Sequence, residues 1–247
     1  MWNSPNLPIR PTNPILPMHI YDTPQHITAF STTRDGGVSI DIPHLIMPLH
    51  QTHETVTKVI DETFLNKNPL EQALLLDGVD ALSTHVPNLC ICVRTADCVP
   101  ILLWDDNQQI ISAVHAGWKG TQKRIVEANI EVLKKTYGTL AQQLHAIIGP
   151  SIGLESFEVG EEVYECFKQS GFPMNKLAKR YPDSRNSQAE KWHIDLWECN
   201  RLQLIEKGVN PGNIHVSGID TFTNYDRFFS ARRHFNSRII NGIMIKP

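Results

Sequence analysis

Cys98 and His115 are the residues of this chain whose types and spacing most directly suggest shared chemistry. Val99–Trp104 (VPILLW) is a short apolar run, Asp105–Gln108 (DDNQ) is a turn signal, and Gln109–Ala116 (QIISAVHA) is a second run, which together predict an antiparallel hairpin. A two-residue loop at Asp106–Asn107, closed by Asp105 opposite Gln108, sets Cys98 opposite His115. Directly opposed residues share a face, with Cβ atoms about 4.5–5.5 Å apart. A thiol and an imidazole at that spacing can share a metal ion or act as nucleophile and base. The plain alternative is a buried cysteine beside a hydrogen-bonded histidine. A slip of one residue would separate them to opposite faces.

Three pieces of sequence surround the hairpin. Upstream lie Asp77-Gly78-Val79-Asp80 and Arg94-Thr95-Ala96-Asp97; downstream, Gly117-Trp118-Lys119-Gly120-Thr121 joins the His115 run to a helix. A glycine-bearing strand-to-helix turn with Lys119 beside it could seat an anion or be an ordinary tight connection, and it has neither Walker nor dinucleotide spacing. A metal on Cys98 and His115 needs another ligand, and His50, His53 and His85 are the upstream candidates. Two histidines, one thiolate and an open fourth position make a catalytic zinc pattern, because structural zinc sites are closed by four protein ligands.

The elements that position these groups alternate irregularly along the chain. Ile27–Thr33, Leu89–Val93, Val99–Trp104, Ile110–His115, His145–Ile148, His193–Leu196, Ile214–Ile219, Phe228–Ala231 and Arg238–Ile245 read as strands. Helices are expected from Gly120 through Tyr137, from Glu161 to Gln169 and from Trp197 to Lys207, with Lys176–Lys191 as a loop. Both faces of the hairpin are apolar, Pro100, Leu102, Ile111 and Ala113 on one and Val99, Ile101, Leu103 and Val114 on the other, so both must be covered. The order lacks regular βα alternation, which predicts a single α+β domain with mixed sheets over 27–247. Pro5, Pro8, Pro11, Pro14 and Pro17 recur every third residue and mark 1–26 as an extended arm, either a ligand for a proline-recognising module or simply chain that cannot form helix or central strand.

The totals narrow the class. The chain has 247 residues, 41% of them apolar, and a formal net charge of −3, with no basic block, so phosphate-driven nucleic-acid binding is not expected. No apolar run approaches the roughly 20 residues of a membrane span, and no signal peptide opens the sequence; we expect a cytoplasmic protein with no obligate protein partner. Five cysteines, an odd number, fit reduced thiols; Cys90 and Cys92 share a strand face and suit simple packing.

Several strings resemble the YfiH-type laccase-domain family, known both as multicopper polyphenol oxidoreductases and as purine nucleoside phosphorylases. They are Ser31–Ser39 (STTRDGGVS), Asp80–Thr84 (DALST), Thr95–Leu102 (TADCVPIL), Ala113–Thr121 (AVHAGWKGT), Ile148–Gly160 (IGPSIGLESFEVG) and Phe228–Arg233 (FFSARR). The resemblance implies an α/β/β/α layered sandwich and a mononuclear metal site at His53 (of Gln-Thr-His), Cys98 and His115. It implies zinc, with copper as the alternative, and phosphorolysis of adenosine, inosine, guanosine and methylthioadenosine together with adenosine deamination. On this reading Asp80 is a candidate proton donor or base, with a turn cap as its bland role, and Lys119, Arg232 or Arg233 would position phosphate. The two arginines follow an expected strand, so one should face the pocket and its neighbour solvent.

Three departures from the family pattern stand out: a short interval between Ser39 and His53, Glu54 where glycine is usual, and Asp220 where cysteine is common. The rival functions are a copper-dependent polyphenol oxidoreductase and a cysteine hydrolase using Cys98 and His115. A four-copper laccase needs paired histidine strings, and the eleven histidines here include no His-x-His.

Overall fold

The computed structural model describes residues 9–11, 18–35, 40, 42–183, 186 and 188–246. Its centre is the expected hairpin, Val99–Asp105 against Ile110–Ala116, and every residue of both strands is buried. The register differs from the expected one. Pro100 pairs with His115 and Asp105 with Ile110, so the loop holds four residues rather than two. The reason is local: the Asp105 carboxylate accepts from the Asn107 and Gln108 amides at 2.9 and 3.3 Å, and Gln109 takes a left-handed φ of 50°. A two-residue slip preserves facing, because side chains alternate with period two. Cys98 and His115 therefore remain on one face as diagonal neighbours.

That hairpin belongs to a six-stranded mixed sheet ordered Ile214–Val216, His145–Ile148, Val99–Asp105, Ile110–Ala116, Ala81–Thr84, Thr57–Val59. A second six-stranded mixed sheet runs Ile9–Pro11, His44–Ile46, Leu89–Thr95, Ile239–Ile245, Ile27–Thr32, Met18–Ile20. The sheets meet face to face over Leu102, Trp104, Ile111 and Ala113 from the hairpin and Ile91, Val93, Ile243 and Ile245 from the second sheet. The other hairpin face, with Val99, Ile101, Leu103 and Val114, packs with Ile125, Val126, Ile130 and Leu133 of helix Ile125–Tyr137 and Leu196, Cys199 and Leu204 of helix Leu196–Glu206. This is the expected α+β domain, with both hairpin faces covered as patterned. The outer face of the second sheet gathers Phe30, Cys90, Cys92 and Met244 with Met18 and Ile42. Cys90, Cys92 and Cys199 are buried and all five cysteines are free.

Several local expectations are corrected. The helix expected from Gly120 to Tyr137 is two helices, Trp118–Gln122 and Ile125–Tyr137, broken at Arg124 with φ 64°. The stretch read as a loop over Lys176–Lys191 carries a hairpin, Ala178–Pro182 against Glu190–Ile194, in a three-stranded sheet with Glu158–Val159. Phe228–Ala231 forms no strand; Ala231–Arg233 is a short 3-10 turn. In the proline-spaced segment, Ile9–Pro11 and Met18–Ile20 form the two edges of the second sheet, places where proline's missing N–H is tolerated. Pro5, Pro8, Pro14 and Pro17, and Gly36 to Ser39 of the GGVS string, lie outside the described residues. No helix among the described residues is long and apolar enough to cross a membrane.

Gly242 sits in the central strand of the second sheet with the Phe30 ring over it; a Cβ there would stand 2.5 Å from Phe30 Cζ and 2.8 Å from Cys92 Sγ. Gly242→Ala should therefore destabilise the fold by about 1–3 kcal/mol through overpacking. Urea unfolding measures this, and an unchanged midpoint would show that the face yields.

Candidate metal centre

Three segments deliver His53, Cys98 and His115 to one point. His115 continues Ile111 and Ala113 on the face turned to the second sheet. Cys98 lies where the chain leaves the second sheet after Thr95 and enters the first at Val99, beside Asp97 with a left-handed φ of 78°. His53 comes from the connection between His44–Ile46 and Thr57–Val59 and is itself left-handed, φ 63°. The site thus sits at the end of the seam between the sheets. One donor atom from each residue lies within 4.8 Å of the others, and Cys98 Sγ is 3.8 Å from His53 Nε2. Tetrahedral zinc with nitrogen near 2.0–2.1 Å and sulfur near 2.3 Å separates such donors by roughly 3.4–3.7 Å, so a short inward shift suffices and the set fits a metal ion.

Asp80 fixes two of the three donors. Its buried carboxylate accepts from His115 Nδ1 at 2.7 Å, from the His53 and Glu54 amides at 3.0 and 2.8 Å, and from Thr52 Oγ1 at 3.3 Å. A proton on Nδ1 leaves the Nε2 lone pair of His115 for the metal, the usual carboxylate–histidine–metal arrangement. Asp80 does not line the pocket described below. Its bonds from the His53 and Glu54 amides are those of the expected cap, and through His115 it orients a donor.

Sequence reasoning missed three supports. The Gln51 side chain donates to the Arg94 carbonyl and accepts from the Arg94 amide, both at 2.9 Å, extending the sheet where the neighbouring strand has ended. Asp97 accepts from Thr221, Ser230 and the Arg232 amide and ties the later loops to the Cys98 turn. Gly117 leaves no room for a side chain: a Cβ would stand 2.5 Å from His53 Cδ2 and 3.1 Å from Cys98 Sγ. The first two could have been read as polar residues one or two places from a ligand in the Gln-Thr-His and Thr-Ala-Asp-Cys strings. Gly117 had no signal beyond its place after His115.

The donors also tune one another without metal. Burial opposes ionisation of the Cys98 thiol, but the imidazoles of His115 and His53 outweigh it and bring the thiol down to about 6. Burial likewise opposes charge on His115, which the Cys98 thiolate and Asp80 overcome, raising it to about 9. Asp80 itself is lowered despite burial, by the bonds from His115, Glu54 and His53. Without metal these interactions favour a Cys98 thiolate beside a protonated His115, and metal binding at His115 would release the Nε2 proton.

A pocket of about 490 Å³ opens on the three donors, with Leu49, Gln51, Thr95, Ala231 and Asn236 among its walls. Among the described residues its arginines are Arg94 and Arg238. The expected cations do not line it. Lys119 is exposed beside its own Trp118, 5.6 Å from the ring centroid. Arg232 donates to the Glu158 carbonyl and covers Phe157; Arg233 donates to the Phe222 carbonyl and covers Phe222 and Tyr225. The expected alternation of these arginines fails because they lie in a 3-10 turn, not a strand. His50 lines the pocket but pairs with Asp77 at 3.3 Å, and His85 faces Glu62 at 3.6 Å; neither joins the donor group.

Two outcomes follow from this geometry. Gly117→Ala and Asp80→Asn should each weaken metal binding by about 10–100-fold while leaving the circular dichroism spectrum in place, as measured by chelator competition; unchanged affinity in both would contradict the support assigned to them. In metal-free protein carrying Cys166→Ser, Cys98 alkylation should rise with pH to half its maximum near 6. A midpoint at the ordinary thiol value of about 8.5 would contradict the ion pair.

The family described as multi-copper polyphenol oxidoreductase laccase matches residues 16–246. A purine nucleoside phosphorylase of Bacteroides thetaiotaomicron is 44% identical over 211 residues, covering 85% of this chain and 76% of the relative. An adenosine deaminase, RL5, from an unknown prokaryotic organism is 41% identical over 196 residues, covering 79% of this chain and 72% of the relative. Among solved structures, the hypothetical protein YfiH of Bacillus licheniformis superposes with a TM-score of 0.77 at 22% identity, covering 93% of this chain and 97% of that one. YlmD of Geobacillus stearothermophilus gives 0.76 at 23%, covering 90% and 93%. These two likenesses are likenesses of fold. The sequence match spans both sheets and all three donors, and the chain belongs to the multi-copper polyphenol oxidoreductase laccase family, the YfiH-type family that its motifs resemble.

Proposed function

We propose that this protein is a zinc-dependent purine nucleoside phosphorylase that also deaminates adenosine. The observation that carries the reading is a carboxylate-oriented His53–Cys98–His115 group opening on a pocket of nucleoside size, about 490 Å³. The names of the two relatives at 44% and 41% identity support it. Adenosine, inosine, guanosine and methylthioadenosine are the expected nucleosides. Five free cysteines suit a reducing cytoplasmic compartment.

Zinc, when bound, would supply Lewis acidity for activating water and polarising the substrate. The chain's own residues supply the frame. Asp80 holds His115 in one tautomer, Gln51 and Asp80 hold the His53 loop, and the seam between the sheets excludes water behind the donors. In deamination, the oxygen of water bonds to C6 of adenine, the C6–N bond breaks, and the amino group leaves as ammonia. In phosphorolysis, a phosphate oxygen bonds to C1′ as the C1′–N9 bond breaks. The electron pair departs with the purine, which takes the proton of hydrogen phosphate.

Two imidazoles and a thiolate also suit a single copper, so the donor set does not choose the metal. Zinc is proposed because both nucleoside reactions are redox-neutral. The Cys98–His115–Asp80 order would serve a cysteine hydrolase, but His53 at 3.8 Å from the sulfur gives that sulfur a third donor as neighbour, which favours metal. The test is chromatography of products from adenosine with the zinc-loaded protein. Inosine is expected without phosphate, and adenine with ribose 1-phosphate only when phosphate is present. Phenol oxidation that tracks copper content, with no nucleoside turnover, would overturn the reading.

A further inference from the structure

Resting on the nucleoside reading, we propose that His50, paired with Asp77, is the catalytic acid–base that carries the proton in both reactions. Each reaction needs such a carrier. Deamination moves a proton from water to the departing amino group, and phosphorolysis delivers one to the departing purine. The pocket offers few groups for the task. Among the described residues lining it, the side chains that ordinarily titrate between about pH 5 and 9 are His50, His53, Cys98 and His115, and none is a carboxylate. The last three form the donor group, where a bound metal takes up the nitrogen or sulfur that each would use. His50 stands in the same wall, three residues before His53, and outside that group.

His50 is held in a way that suits this role. Its Nδ1 lies 3.3 Å from Asp77 Oδ1, so the proton on Nδ1 is shared with that carboxylate and Nε2 is the nitrogen that exchanges. The backbone beneath it is fixed on both sides. The His50 carbonyl accepts from the Gly78 amide at 3.0 Å, Thr52 Oγ1 donates to the Gly78 carbonyl at 3.0 Å, and Gln51 is clamped to the Arg94 backbone. Both partners are exposed, so the imidazole can recover its starting state from solvent between turnovers. The charges around it are the Asp77 carboxylate and, across the pocket wall, Arg94, Arg238 and the three donors.

Adenine presents its amino group and N7 on one edge, so a single imidazole facing that edge can serve either bond cleavage. In deamination, Nε2 takes one proton of the water whose oxygen bonds to C6. It passes that proton to the amino nitrogen, which leaves as ammonia, and the second water proton ends on N1 of inosine. In phosphorolysis, protonated Nε2 gives its proton to N7 as the C1′–N9 bond breaks and its electron pair departs with the purine. The proton of hydrogen phosphate then restores the imidazole.

The experiment follows adenosine turnover by zinc-loaded parent, His50→Gln and His50→Ala, without and with phosphate, from about pH 5 to 9. His50→Gln should lower kcat of both reactions by about 100-fold or more with little change in KM for adenosine, and flatten one limb of the pH profile. Zinc content and the circular dichroism spectrum should stay as in the parent. Added imidazole should restore part of the rate of His50→Ala and none in the parent, a rescue that a merely structural role would not give. Parent-like kcat in His50→Gln would overturn the assignment. So would a loss of rate that brings loss of zinc or leaves the pH profile in its parent shape, and a fall in one reaction alone would overturn the shared carrier. A parent that turns over no nucleoside would instead overturn the nucleoside reading, and this assignment with it.

Discussion

The site depends on one buried carboxylate. Asp80 lies at the start of the strand Ala81–Thr84, fully enclosed, and accepts four hydrogen bonds from two other segments of chain. A buried carboxylate is costly unless its lone pairs are met, and here they are met by groups that must stand in one arrangement to meet them. That arrangement turns His115 toward the seam and bends the His53 loop into its left-handed conformation. Backbone bonds reinforce it: the His115 amide donates to the Asp80 carbonyl at 2.7 Å, and the Asp80 amide to the Val56 carbonyl at 3.0 Å. The second half of the hairpin and the upstream loop are thereby joined in one hydrogen-bond network.

The two-sheet design explains why the pocket lies where it does. Between the sheets the contact is apolar over most of its extent, which leaves no place for a polar ligand. Toward the end at Thr95 the residues become polar: Tyr21 meets Ser31 at 2.8 Å, Ser31 donates to Asn241 at 2.6 Å, and the Asn241 amide donates to Thr95 at 2.9 Å. This buried chain is satisfied along its length and ends at a residue of the pocket wall. The chain also crosses from one sheet to the other here, through Ala96–Cys98, so a ligand-bearing turn is rooted in both sheets at once. Rigid elements on either side hold the donors more precisely than a free loop would.

Much of this was legible in the sequence, and the failures have physical causes. The hairpin, its two apolar faces and the shared face of Cys98 and His115 follow from period-two patterning, which survives a two-residue error in register. The size of the loop did not follow, because it depends on Asp105 capping two amides, a choice the short-loop rule does not weigh. The third donor could not be chosen among His50, His53 and His85 by spacing alone. It rested on the family resemblance, and the structure brings His53, and neither of the others, to the group. The placement of Arg232 and Arg233 differs from the expected one for a separate reason. Arg232 and Arg233 were read as strand residues, whereas a Ser230 to His234 turn directs them to aromatic surfaces. Arg238 reaches the pocket only through the pairing of two strands nearly 150 residues apart in sequence, Ile239 with Thr95, which no local pattern discloses.

The central claim is that His53, Cys98 and His115 together hold one metal ion whose remaining position faces the pocket. X-ray absorption at the metal edge of the loaded protein tests it most directly. The account predicts a single sulfur neighbour at about 2.3 Å, nitrogen or oxygen neighbours at about 2.0–2.1 Å, and no second metal nearby. A first coordination sphere without sulfur, or a metal–metal distance in the spectrum, would contradict it.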